Sequence, residues 1–321
     1  MRRRDLFALA GAALAGSAWP ACAESGSLRR IGILASQPLR PIESFKAKLN
    51  ALGYVEGGNF AFVERYAQGR DDRYPALALE LAAQQLDVIV AWGTPAALAA
   101  KRATRTISTV MVAGDAVNTG VVSNLARPEG NITGIIAINV QLEEKRLELL
   151  KEVVPTLQRV AVLANSLNPL NKINLETTSR VARDLEVAIE VFEVRSSTEI
   201  GGALAKLVQS RPGAALLASD ILLLSNRKQI ADTMATNKIP AIYPFREYVE
   251  VGGLIIYGAN ISVLFERAAE YVDRILKGDK PGNLPVQQAT AFELVINLKV
   301  AAALGLKVPS MVQVRADEVI E

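Results

Sequence analysis

From Arg30 onward, short runs of β-branched and apolar residues alternate with amphipathic helical stretches, and this order of elements restricts the fold more than any other feature. Strands are predicted at Ile31–Ala35, Phe60–Tyr66, Val88–Ala91 and Thr109–Val112, separated by helices near residues 41–52, 74–85 and 95–103. Parallel strands need long crossovers and helices supply them, so the alternation predicts a parallel sheet covered on both faces. After the turn Arg127-Pro128-Glu129-Gly130-Asn131 a second series begins. Its strands are Val160–Ala164, Ala188–Val194, Ala214–Leu217 and Leu254–Tyr257, with helices near 141–153, 170–186, 198–209 and 225–236. A chain of 321 residues is long for one core and comfortable for two. The fold class is therefore α/β, with two similar Rossmann-like lobes, each on a parallel sheet.

Composition narrows the chemistry. The sequence has no histidine, and its one cysteine, Cys22, lies in an N-terminal segment with Arg2, Arg3 and Arg4, an apolar run from Leu6 to Ala18, and Ala21-Cys22-Ala23. That segment has the form of a secretory signal peptide cleaved after Ala23, and its apolar core is too short for a good membrane-spanning helix. Arg3-Arg4 followed by Leu6-Phe7 also resembles a twin-arginine signal. Without residues 1–23 the chain has neither cysteine nor histidine. Disulfides, thiolate nucleophiles, thiolate or imidazole metal sites and Ser-His or Cys-His arrangements are then excluded together. The net charge of +3 falls to +1 once the segment is removed, which points to no nucleic acid and no anionic membrane.

No Walker loop, dinucleotide-binding glycine fingerprint or nucleophile elbow is present, and no cofactor or metal is implied. Open α/β sheets bind ligands just past the carboxyl ends of their strands. The residues there are Ser36, Trp92-Gly93-Thr94, Gly114-Asp115, Asn165 with Asn168, Asp220, Tyr243 with Phe245 and Arg246, and Tyr257 with Asn260. In Val88–Ala103, Thr94 is expected to cap a helix and Pro95 to take its first position, leaving the amides of Ala96 and Ala97 open to an anion. Neutral donors, aromatics and two isolated carboxylates suit a small polar ligand with an apolar part better than they suit catalysis. Each also has a structural reading: Thr94-Pro95 as an ordinary helix start, Ser36, Asn168 and Asp115 as turn residues, and Trp92 as lobe packing.

Other features read as structure. The helix at Val263–Leu276 carries a core stripe and stops at Gly278. The charge-rich stretch Gln141–Glu152 reads as a solvated helix face, and Asp71-Asp72 and Glu247 with Glu250 read as loop and helix surface. Lys280–Pro285 reads as a loop or crossing segment between lobes.

Several stretches resemble the substrate-binding proteins of bacterial ABC transporters with the type I periplasmic-binding fold. They are GYVEGGNFAFVERYAQG, AWGTPAALAAKRAT, GVVSNLARPEGNITGI, IPAIYPFREYVEVGGLIIYGAN, AAEYVDRILKGDKP, FELVINLKVAAALGLKVP and RADEVIE. The resemblance runs in order through the chain after the signal. It implies two lobes joined by crossing segments near 134–139, 258–261 and 285–288, with the helix at 263–276 packed on the first lobe. The expected divisions are a signal peptide at 1–23, an N-terminal lobe of 24–138 plus 261–285, and a C-terminal lobe of 139–260 plus 286–321. The family's ligand positions fall on Ser36, Thr94, Asp115 and Asn165, with Asp220 facing them. Relatives often carry proline where Ala116 stands, and the segment Asn165–Pro169 departs from relatives that take aromatic amino acids.

The expected function is that of a periplasmic solute-binding protein, a monomer with no catalytic activity. It captures an amino acid or related small carboxylate by hinge closure and delivers it to a membrane permease. The expected ligand-binding residues are Ser36, Trp92, Gly93, Thr94, Asp115, Asn165, Asn168, Asp220 and Tyr243. The alternatives are a sensory module feeding a membrane receptor, and a hydrolase or isomerase built on carboxylates. Mass spectrometry of protein recovered from the periplasm is expected to give Glu24 as its first residue; an intact Met1 terminus contradicts the signal-peptide reading.

Overall fold

The computed structural model describes residues 28–38, 40–138, 140–290 and 292–321, the side chains of 138 and 140 excepted. The signal-peptide reading of 1–23 lies outside the described residues. The first run of elements is β1 (Arg29–Ala35), α1 (Arg40–Ala51), β2 (Phe60–Tyr66), α2 (Tyr74–Ala82), β3 (Val88–Trp92), α3 (Thr94–Ala103), β4 (Ser108–Gly114) and β5 (Ile132–Ile138). The second begins with α4 (Val140–Val153), β6 (Arg159–Asn165), α5 (Pro169–Asp184), β7 (Ala188–Val194) and α6 (Ser197–Gln209). It continues through β8 (Ala214–Leu217), α7 (Ile221–Ser225), α8 (Arg227–Thr236), β9 (Ala241–Tyr243) and β10 (Ile255–Ala259).

Both runs wind the same way. The sheets are ordered β11-β5-β4-β3-β1-β2 and β13-β12-β10-β9-β8-β6-β7, so each lobe places its first strand between its second and third. The strands from β1 to β5, and those from β6 to β10, pair in parallel. Every residue of β3 and β8 is buried, as expected where helices cover both faces of a sheet.

After β10 the chain passes back to the first lobe. There α9 (Ile261–Leu276) packs on α1 and against β3, β4 and β5. Phe265 drives this docking: its ring meets Phe45 of α1 edge-on at 6.4 Å and Trp92 of β3 at 4.8 Å. β11 (Gln287–Gln288) then pairs with β5, while β12 (Phe292–Asn297) pairs with β10 in the other sheet. The third crossing thus lies between residues 288 and 292, beyond the expected 285–288. β12 runs antiparallel, a departure from the wholly parallel expectation, and α10 (Leu298–Ala303), α11 (Ser310–Val314) and β13 (Glu318–Ile320) complete the second lobe. Short strands such as β9 and β11 have too few residues to show a periodicity in the sequence.

The charge-rich stretch read as solvated is only half so. Glu144, Lys145 and Glu148 meet solvent, but Glu143 and Arg146 on the inner face of α4 are buried and ion-paired at 2.6 Å. Glu247 is also buried, against the surface expectation.

Since Phe265 is fully buried between α1 and β3, Phe265→Ala is expected to cost about 3–5 kcal/mol, the usual cost of such a cavity. Denaturant unfolding followed by Trp92 fluorescence measures it, and a loss under 1 kcal/mol contradicts this account of α9 docking.

Candidate functional site

The carboxyl ends of the two sheets face each other, so residues past the strand ends meet at the lobe boundary. On the first-lobe side, Gly93 rather than Thr94 is the N-cap of α3, at a φ of +94° that suits glycine. Thr94 and Pro95 take the first two helical positions. Ala97 N already donates to Gly93 O at 3.0 Å, so the open amides are those of Thr94 and Ala96, not Ala96 and Ala97. The Thr94 hydroxyl reaches sideways and accepts from Gly114 N at 3.3 Å, tying α3 to the end of β4.

On the second-lobe side, Asp220 caps α7 and sits at the centre of an amide cage. Its Oδ1 accepts from Leu222 N at 2.7 Å and from Leu223 N; its Oδ2 accepts from Asn168 Nδ2 at 2.7 Å, Asn165 Nδ2 at 3.1 Å and Asn171 Nδ2 at 3.4 Å. Three asparagines on β6 and α5 are thus spent on one carboxylate. Burial raises its pKa above the usual carboxylate range, against the pull of these donors.

Trp92, Gly93, Thr94, Asn168 and Asp220 line one shared cavity, together with Ser219 and Phe245. Apolar contacts fill most of the gap between the lobes. A Cβ on Gly114 would stand 2.2 Å from Leu170 of the second lobe, and one on Gly93 would stand 3.3 Å from Ile221. The space that remains for water-sized molecules is about 20 Å³, room for roughly one water.

Two expected residues take other places. Tyr243 stands behind the cavity, stacked on Tyr248 at 4.4 Å, because β9 ends with its side chain turned under the following 3-10 turn; Phe245 supplies the aromatic wall instead. Asp115 is half-buried in its own loop, where its carboxylate accepts from Asn118 N at 3.1 Å and Asn118 Nδ2 at 2.6 Å. Ser36 is buried beside the cavity and accepts from Gly69 N at 3.2 Å, with Ser225 of the other lobe 3.4 Å away.

Asp71, expected at a loop surface, is a boundary residue. It opens the 3-10 turn ahead of α2, and its Oδ2 accepts from Asn165 Nδ2, across the lobes, at 2.7 Å. Burial first, and the facing Asp220 second, push its pKa up to about 7. The sequence marks it only as one of two adjacent aspartates; Asp72, its neighbour, is exposed and paired with Arg70.

A family model described as ABC transporter substrate binding protein matches residues 39–320. A tyrosine-binding protein of Clostridioides difficile is 27% identical over 266 residues, covering 83% of this chain and 76% of its own length. Among solved structures, an ABC domain from Streptococcus pneumonia in complex with L-Trp superimposes with a TM-score of 0.84 at 25% identity, over 92% of this chain and 100% of that one. A substrate binding protein with adhesive properties from Clostridium difficile, in its ligand-free, open structure, gives a TM-score of 0.61 at 24% identity, over 92% and 99%.

The contact between Gly114 and Leu170 provides a direct test of this boundary. Gly114→Val places a branched side chain where the second lobe sits while leaving the ordinary backbone of β4 unstrained. The expected outcome is a larger radius of gyration by small-angle scattering with unchanged circular dichroism; an unchanged radius contradicts the contact.

Proposed function

We propose that the chain, which belongs to the ABC transporter substrate binding protein family, captures an amino acid or a related small carboxylate between its lobes and hands it to a membrane permease without turning it over. The observation that carries this reading is the pairing of unlike poles on the two facing sheet ends. The first lobe offers the Thr94 hydroxyl with the open amides of Thr94 and Ala96, which suit a carboxylate. The second places the negative charge of Asp220 at the facing strand end, which attracts an ammonium through its field, and Trp92 and Phe245 wall the space between. The ligands named for the C. difficile and S. pneumonia relatives, tyrosine and L-Trp, are molecules of this class.

Capture requires opening, because the site lies between the lobes and Leu170 and Ile221 close against Gly114 and Gly93 across it. The crossings near 138–140, 259–261 and 288–292 serve as the hinge, and they give an N-terminal lobe that extends through β11 to residue 288, three residues beyond the expected division at 285. A ligand that contacts both lobes shifts the equilibrium back toward closure. Asp71 and Asp220 form a carboxylate pair of the kind a hydrolase needs, but both oxygens of Asp220 are already occupied by N–H donors. That favours holding over turnover. The protein acts as an exported periplasmic monomer that binds no nucleic acid, and residues 1–23 serve as its cleavable export signal.

Calorimetry with a panel of L-amino acids and small organic acids is expected to give one-to-one binding for at least one amino acid. Thr94→Val is expected to weaken it by about tenfold, the cost of one hydrogen bond to a charged group. Uniformly flat titrations with folded protein would sink the proposal.

A further inference from the structure

The two N–H groups of Asn165 Nδ2 serve carboxylates from opposite lobes: Asp71 Oδ2 at 2.7 Å and Asp220 Oδ2 at 3.1 Å. Asp220 is held by its own lobe, whereas Asp71 reaches Asn165 only because the lobes are closed. The turn that carries it is pinned against the second lobe by Ser197 N donating to Gly69 O at 3.1 Å, and by a bridge between Arg70 and Ser196.

Among the described residues, no cation is bonded to either carboxylate. In the turn, Arg70 is spent on Asp72, and Arg73 points to Ala67 O and Gln68. Tyr74 follows, buried and facing both aspartates with its hydroxyl on Ser36. Behind Asp220 stands Tyr248, with Arg227 and Glu247 beyond it, and Lys172 and Glu193 border the groove on the outer side of Asn165. Two carboxylates that share one amide, Asp220 buried and Asp71 half-buried, cannot both stay ionised at low cost, so the closed arrangement is favoured by one proton between them.

We propose that Asp71 is the positioning residue of a proton-operated latch, joining Asp220 through Asn165 when the lobes close and a proton is held by the pair. The latch rests on the hinge motion proposed above and is independent of which ligand is captured. Its sign follows from linkage. Once the lobes part, Asp71 faces water and returns toward the ordinary carboxylate value of 3.8, whereas closure raises it to about 7. The closed state therefore binds the proton more tightly. Closure strengthens as pH falls from about 7 toward 4, by up to about tenfold per pH unit, and is flat above about 8.

The test needs no ligand. Donor and acceptor dyes on cysteines introduced at exposed Asn50 and Asp184, with Cys22→Ser, report lobe separation in protein to which nothing is added. Transfer efficiency is expected to rise between pH 7.5 and 5 and to stay level above 8. Asp71→Asn, which keeps an acceptor for Asn165 and removes the charge, is expected to abolish the slope and hold the lobes closed at pH 8. Asp220→Asn keeps a capping oxygen for Leu222 N but sets an amide against the three asparagine donors, so it is expected to flatten the profile without holding the lobes closed at pH 8. A flat wild-type profile overturns the latch, as does an unchanged slope in Asp71→Asn. Calorimetry on the same proteins reports ligand capture separately, so a failed ligand panel and a failed latch give different results.

Discussion

All strands of a parallel sheet deliver their carboxyl ends to one edge, and in this molecule two such edges face each other. Each lobe sets its first strand between its second and third, so the chain diverges in opposite directions at β1/β3 and again at β6/β8. Loops that part at such a point leave a crevice between them. Ser36 and Gly93 lie at the first divergence, Asn165 and Ser219 at the second. The polar residues of the boundary are there because the winding order brings those strand ends together, although partners such as Asp71 and Asn165 are 94 positions apart in sequence.

The crossings add a second constraint. Neither lobe is a continuous stretch of chain, since α9 and β11 return to the first sheet before β12 joins the second. Arg146 braces this region: its Nε donates to Tyr257 O at 2.7 Å, and its Nη1 to Glu143 at 2.6 Å and Ser219 at 2.7 Å. It thereby ties α4, the first element after one crossing, to β10, the last before the next. Buried ion pairs of this kind add little net stability, but losing one partner leaves the other charge stranded. Here the pair holds α4, β10 and the loop after β8 together within the second lobe, next to where the chain crosses.

The fold was legible because strand and helix periods are local, and most of the strands from β1 to β10 show as apolar runs. β9, β11 and the antiparallel β12 were not, because strand length and direction there are set by partners remote in sequence. The site was legible by position and less so by role. Asp220 and Asn168 could be placed at strand ends, but their mutual hydrogen bond joins residues 52 positions apart. Tyr243 and Phe245 are two residues apart, a spacing that strand alternation would put on one face, but β9 ends at Tyr243 and Phe245 lies beyond it, so the alternation does not govern where its ring goes. Asp71 and Asp72 show the limit most clearly. Adjacent and chemically identical, they differ because one is opposed by the second lobe and the other by water.

Side chains of the two lobes meet across the boundary, and this shapes how a ligand must compete. Leu170 fits against Gly114 and Ile221 against Gly93, with apolar contact continuous from the first sheet to the second. A ligand therefore gains the difference between its own contacts and those the lobes already make. Closure without a ligand reduces the fraction of open, receptive protein, and apparent affinity falls with that fraction. The apolar contacts set a constant part of this competition. Asp71 and Asp220 add a part that varies with protonation, because apposing two carboxylates costs little when they share a proton and more when they do not. Two glycines and two aspartates at the boundary therefore bear on affinity even where they touch no ligand.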